Sequence, residues 1–433
     1  MLSRNHSLQI PLVMQVSIFV VCVTCLAFWL PNSLADTSIY FSGGQKIFEG
    51  ADAYNGDSPF FSGPTGSVVF YLLGKLLLIE SFPFVWQLVN ILGVCFFFYF
   101  ILQSFRIQRY TLIIIGLLLL SAPVREMIVN NQVTGFTIGL SSSVIYFSSK
   151  FTSRVSTTVG LILLILLFEF KPNLVFGFVL FFLYLNRDQI KLLTFSLISI
   201  VTGFLLLTGP EVYSDWIDFI RFSGTDRLTG YESLGIGSFL FEIGFLDLSS
   251  ARNLGGLLFV LSFAFTLLLL IRTNIESWAL VVPLLVLTFP YIHYLDFISA
   301  VPFVCIILLS KESVAALGSA VVVLLYLPQP STSISKNLLI IAIVLFVAGF
   351  QYLSDVPTRW VISSFLLGFL LIPLNFWIDS FELTGHTLQV VTVVRAWVVV
   401  VFVLILTSSQ SLSRYRVGSD SRIDSQTIVL NHE

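Results

Sequence analysis

Long apolar runs, broken by short polar joints, repeat along most of this chain. Residues 10–30 form the first run, 21 positions without Asp, Glu, Lys or Arg. At 1.5 Å per residue such a helix is roughly 30 Å long, the thickness of a bilayer's hydrocarbon core. Further runs cover 84–105, 158–170 and 174–185 and recur as far as 388–407. The pattern predicts an all-α, polytopic transmembrane protein of about 12–14 transmembrane helices, with interfacial helices on its outer face. The run 67–79 is too short to cross and reads as a helix lying at the outer interface or re-entering, so 84–105 makes the crossing. In 212–222, Val212, Trp216, Phe219 and Ile220 alternate at helical spacing with Asp215, Asp218 and Arg221, which predicts a second interfacial helix. The short runs 158–170 and 174–185 suit helices that end part-way, with polar ends lining a cavity.

Composition sharpens this picture. Of 433 residues 56% are hydrophobic, 43 are Phe and only 11% are charged, more apolar surface than a water-soluble core absorbs. The net charge of −2 points to no nucleic acid or other charged partner, and the chain carries no signal for an oligomeric state. Cys22, Cys25, Cys95 and Cys305 lie in apolar runs and read as packing residues, not as a disulfide framework or metal site. Ser33-Leu34-Ala35 loosely fits a signal-cleavage site, but the run before it is long and its basic flank is only Arg4, so a retained helix is expected.

Basic joints set an expected orientation. Arg106/Arg109, Lys150/Arg154, Arg187/Lys191, Arg272, Lys311, Arg359 and the tail arginines Arg414, Arg416 and Arg422 belong on the cytoplasmic side by the positive-inside rule. The turns 36–66, 123–132, 171–173, 209–250, 290–296, 328–335 and 378–386 then face the opposite side. The expected organisation is a cytoplasmic N-tail 1–9, a catalytic transmembrane module 10–310 with outer loops 31–66 and 209–250, further helices over 311–409, and a disordered cytoplasmic tail 410–433. Arg395 interrupts the run 388–407, so that helix starts later or Arg395 faces a partner.

Candidate chemistry gathers on the non-cytoplasmic turns. Asp36, Tyr40, Lys46 and Tyr54 occupy the first; Arg125, Glu126, Asn130, Asn131 and Gln132 the second; Glu169, Lys171 and Asn173 the third; His293, Tyr294 and Asp296 a later one. Such one-sided clustering suits a single outward-opening site more than a conduction path. A carboxylate takes a proton from a hydroxyl, and Lys171, Arg125 and His293 suit a phosphate and the charge it gains on leaving. These parts suit group transfer from a lipid-linked phosphate to a hydroxyl, with no metal and no cofactor needed. Bland roles stand beside these: Asp36 also suits a helix N-cap, Lys171 a snorkelling helix end, His293 a helix-packing hydrogen bond, and Arg125 with Glu126 an interfacial pair. A lipid or sugar-lipid flippase is the alternative, for which Gln87, Asn90 and Ser141, Ser142 and Ser143 are the mid-membrane polar candidates. A structural subunit is a third possibility.

The order of these signals resembles a known family. Asp36-Thr-Ser-Ile-Tyr40 followed by Gly50-Ala-Asp-Ala-Tyr54 looks like the outer loop of the polyprenyl-phosphate-mannose-dependent mannosyltransferases, membrane enzymes of the GT-C superfamily. Asn131-Gln132-Val133 resembles that family's Gly-Gln-Val-Asn, Lys171-Pro172-Asn173 its Lys-Pro-Gln, and Pro290-Tyr-Ile-His293-Tyr294 its Ser-Pro-x-x-x-His-Tyr. The family's Tyr-Pro-Pro is present only as Gly63-Pro64-Thr65-Gly66, a departure. The resemblance implies a GT-C-like fold in a bacterial plasma membrane with its site facing outward, and Asp36 as general base. It further implies a polyprenyl-phosphate-sugar donor bound near Lys171 and His293, with Arg125, Gln132, Asn131, Tyr54 and Tyr40 around it. A lipid or glycan acceptor, inversion at the anomeric carbon and no metal requirement complete what it implies.

Overall fold

A computed structural model of the protein describes residues 12–29, 35–54, 62–77, 81–104, 111–119, 122–151, 153–226, 240–241 and 244–273, together with Leu285, Phe289, Asp296, Ile298 and Ser299. Among these residues every regular element is helical: α1 (Leu12–Trp29), α2 (Ala35–Phe48), α3 (Pro64–Leu76), α4 (Phe82–Ser104), α5 (Thr111–Leu119), α6 (Ala122–Val129), α7 (Thr134–Ser148), α8 (Arg154–Phe170), α9 (Pro172–Leu185), α10 (Ile190–Thr208), α11 (Pro210–Asp226) and α12 (Leu248–Thr273). A single 3₁₀ turn, Arg187–Gln189, joins α9 to α10.

Three of the described stretches are long and apolar enough to cross a membrane: Phe82–Gln103, Arg187–Thr208 and Leu248–Leu268. The crossing read over 84–105 corresponds to α4, the short helix after the first loop to α3, and the amphipathic stretch 212–222 lies inside α11. The N-tail 1–9, His293, the helices over 311–409, the tail 410–433 and Arg395 lie outside the described residues, as do Arg106, Arg109, Lys311 and Arg359.

Local chemistry explains where the helices stop. Pro172 has no N–H to give and drives Lys171 out of the helical region, so α8 ends and α9 begins around Lys171 at φ −148°, ψ 81°. Gly209 closes α10 at a positive φ of 89°, and Pro210 starts α11 where its missing N–H costs nothing. Asp247 caps the start of α12 by accepting the Ser250 N–H at 2.8 Å.

The core lies among α4, α7, α8 and α9, where Phe97, Phe98, Phe178, Phe181 and Phe182 are fully buried. The helices α4 and α7 meet closely: a Cβ on Gly139 would fall 2.3 Å from the Gly93 carbonyl oxygen, and one on Gly93 2.2 Å from that of Gly135. The spacing Gly135-x-x-x-Gly139 is the small-residue pattern that lets apolar helices meet backbone to backbone. Asn90 seals the joint, accepting the Phe136 N–H at 2.9 Å and donating to the Trp86 carbonyl at 3.2 Å. A second, smaller cluster of Ile47, Ala53, Tyr54, Val68 and Trp216 seats α11 against α2 and α3.

Because α7, α8, α9 and α10 run alternately up and down, two ends of the bundle acquire different chemistry. Gln132 before α7, Glu169 and Lys171 between α8 and α9, and Tyr213 on α11 lie at one end. Lys150, Arg154, Arg187 and Lys191, on the intervening turns, lie at the other.

Candidate functional site

The site begins with a turn. After α6, Asn131 donates its N–H to Ile128 O and Gln132 donates to Met127 O, both at 3.1 Å, the two bonds of a Schellman C-cap. That motif needs a left-handed residue in its middle, and Asn131 sits at φ 52°, the one non-glycine residue with positive φ among those described. Glycine and asparagine tolerate this conformation best. Asn131 therefore suits this turn. Asn131 is buried, and its amide also donates to the Pro83 carbonyl at 3.0 Å, tying the turn to the start of α4.

The turn aims Gln132 at Asp36, whose Oδ2 accepts a hydrogen bond from the Gln132 side-chain amide. Asp36 lies in the first turn of α2, half-buried, where a negative charge is favoured by the helix dipole. The expected cap position is thus close but not the same: α2 begins at Ala35, and the carboxylate reaches across to the turn between α6 and α7. Beside it, Thr37 is buried and its hydroxyl lies 3.5 Å from the Asn131 carbonyl oxygen.

Aromatic packing carries the site from Asp36 toward Lys171. The Tyr40 ring is 5.6 Å from Phe70, and Phe70 is 6.4 Å from Phe170, next to Lys171 in sequence. Phe136, one turn into α7, lies 6.2 Å from the same Phe170 ring. Lys171 Nζ pairs with Asp296 Oδ1 at 2.9 Å, and the Asn173 amide donates to Asp296 Oδ2 at 2.8 Å. Both members of the ion pair are buried, so neither charge is left to solvent. His293 lies outside the described residues. Arg125 is half-buried on α6, ahead of the Asn131 turn.

Glu169 organises the outer side of this end. The helix α3 has no side-chain cap of its own at Gly63. Glu169 supplies one from another helix: its carboxylate accepts the Gly66 N–H at 2.7 Å, while its carbonyl accepts the Gly63 N–H at 2.6 Å. Gly63 has to be bare, since a Cβ there would stand 2.8 Å from Glu169 Cβ, and Gly66 is tight, at 3.2 Å from the same atom. Tyr213 of α11 donates a hydrogen bond to the same carboxylate, and its oxygen lies 2.8 Å from the Thr65 hydroxyl. Tyr54 donates to Ser62 O at 2.8 Å, and Ser62 donates to Phe170 O at 3.3 Å. Burial first, and then the nearby Glu169 carboxylate, push the phenols of Tyr54 and Tyr213 above the ordinary tyrosine range, so both act as hydrogen-bond donors.

At this end of the bundle Gln132 bonds to Asp36, Asn131 shapes the turn before it, Tyr40 packs on Phe70, Tyr54 donates to Ser62 O, and Lys171 pairs with Asp296. Gln132 meets Asp36 itself, a pairing that sequence order does not reveal. Tyr213 was not singled out from sequence, and Glu169 carried no role there; the signals for both were the amphipathic pattern of 212–222 and a carboxylate two positions before a Lys-Pro break. No family model matches this chain, and neither does any curated protein or solved structure.

Proposed function

We propose that this chain is a polytopic membrane glycosyltransferase that moves a hexose, mannose by resemblance, from a polyprenyl-phosphate carrier to a hydroxyl of a lipid or glycan acceptor. Asp36 takes the acceptor's proton as its oxygen attacks the anomeric carbon. The bond from that carbon to the phosphate oxygen breaks, its electron pair leaves with the phosphate, and the configuration inverts. The observation that carries this reading is Asp36 held by Gln132 at the same end of the bundle as Lys171. A general base has to be oriented before it is useful, and an amide bonded to one carboxylate oxygen fixes that orientation.

Lys171 and His293 hold the donor phosphate in this scheme, with Arg125 and Asn131 nearby and Tyr40 against the sugar side. An ammonium has three donors, and the Asp296 contact uses one of them while directing the group. The polar end of the bundle faces away from the cytoplasm, and the carrier's chain lies among the apolar helices.

Transfer from a labelled polyprenyl-phosphate sugar in membranes tests the reading. Asp36→Asn preserves the Gln132 neighbour's space and removes proton acceptance, so transfer falls by about 10²–10⁴-fold, or about 3–5 kcal/mol of barrier, at equal protein level. Normal transfer by the Asn variant removes Asp36 as base. Movement of the labelled lipid across the bilayer by wild type, with no transfer, replaces the enzyme by a flippase.

A further inference from the structure

We propose that the end of the bundle opposite Asp36 is a docking surface for anionic phospholipid headgroups. It is formed by Lys150, Arg154, Arg187 and Lys191, all exposed. Two separate helical hairpins deliver these charges, α7–α8 the first pair and α9–α10 the second. They are brought together by a buried contact: Thr157, one helical turn inside Arg154, donates to Asn186 Oδ1 at 3.2 Å, and Asn186 immediately precedes Arg187. Asn186 is itself fixed by donating to Phe182 O at 3.0 Å. The basic groups are therefore held on a shared rigid base rather than strewn along loops.

Two of the cations lie over tyrosine rings, Lys150 at 4.2 Å from the centroid of Tyr146 and Arg187 at 5.0 Å from that of Tyr184. Around them Phe147, Phe151, Val155 and Ile190 are exposed. Exposed aromatic and aliphatic groups interleaved with cations match the level where acyl chains meet headgroups. The only acid in the described parts of these two turns is Asp188, so the surface carries a clear positive excess. Its complement is a negatively charged headgroup whose acyl chains continue along the apolar flanks of α8 and α10. The inference shares the membrane setting with the proposed function but none of its transfer chemistry, so either can fail alone.

The test uses the full-length protein reconstituted in nanodiscs of phosphatidylcholine with a minor fraction of phosphatidylglycerol, and reads the lipid retained after extraction. Wild type should retain phosphatidylglycerol in excess over its share of the mixture. Each basic residue near an anionic surface is worth about fivefold in lipid preference. Arg154→Gln with Arg187→Gln should therefore lower the excess strongly, whereas Lys46→Gln with Lys75→Gln, the same charge change elsewhere, should leave it. If the first pair unfolds in a thermal melt, Lys150→Gln with Lys191→Gln makes the same measurement at freely exposed positions. No excess in wild type, an excess untouched by the surface variants, or equal loss from Lys46 and Lys75 overturns the proposal. Salt-sensitive self-association without lipid enrichment overturns it too, and assigns the surface to a second copy of the chain.

Discussion

Asn131 shows how one residue's backbone shapes the site. Its positive φ closes the turn that points Gln132 at Asp36. Asn131→Gly loses the hydrogen bond to Pro83, a net of about 0.5–1.5 kcal/mol, but relaxes the left-handed backbone. Asn131→Val loses that bond and adds a left-handed penalty of about 1–2 kcal/mol. Thermal unfolding in detergent should rank wild type and Gly close together and Val well below. Transfer should follow the same order, because a strained turn misdirects Gln132. Equal stability and equal transfer for Gly and Val would mean that this turn does not set the carboxylate's orientation.

At the scale of elements, Glu169 joins α8, α3 and α11. Capping α3 from another helix makes a local helix start depend on a long-range contact. Glu169→Ala leaves buried N–H groups at Thr65 and Gly66 unsatisfied, at about 1–3 kcal/mol, and takes one hydrogen-bond partner from Tyr213. Tyr213→Phe removes the hydrogen bonds of α11 to Glu169 and to the Thr65 hydroxyl but leaves the backbone caps of α3 in place. Amide hydrogen exchange separates the two: Glu169→Ala should speed exchange in both α3's first turn and α11, Tyr213→Phe in α11 only. A pH dependence follows with a definite sign. The folded Tyr213 phenol ionises less readily than the unfolded one, so its contact stabilises fully below about pH 10 and is lost progressively as pH rises above that. Protection of α11, corrected for the base-catalysed rise of intrinsic exchange, should fall above that pH in wild type and show no such step in Tyr213→Phe.

At the scale of the whole molecule, Lys171 and Asp296 join segments 125 positions apart. A buried pair broken on one side leaves an uncompensated charge, costing about 3–5 kcal/mol. Lys171→Met and Asp296→Leu should each lower the melting temperature in detergent, and the double variant should recover most of it. Transfer should stay low in the double variant, because Lys171 also serves the donor phosphate. Recovery of both stability and transfer would reduce Lys171 to a structural partner of Asp296.

Much of the architecture was legible in the chain itself. Helix is the form in which an apolar run satisfies its own backbone, so the runs that became α4, α8 and α9 could be read from hydropathy, length and the Pro172 break. Periodicity marked the middle of α11 over 212–222, while its ends at Pro210 and Asp226 were not read. The one-sided clustering of Asp36, Gln132 and Lys171 was also visible, because alternating helices return every second turn to the same end. Only the tertiary structure decided which polar groups meet. Gln132 holds Asp36 because a left-handed Asn131 turns it there, Asp296 claims Lys171, and Glu169 caps a helix 103 positions away. Hydropathy fixes where a helix lies and how long it is, but not its rotation about its axis or its neighbours. Those are set by bare glycines such as Gly93, Gly139 and Gly63, which allow contacts that no local pattern encodes.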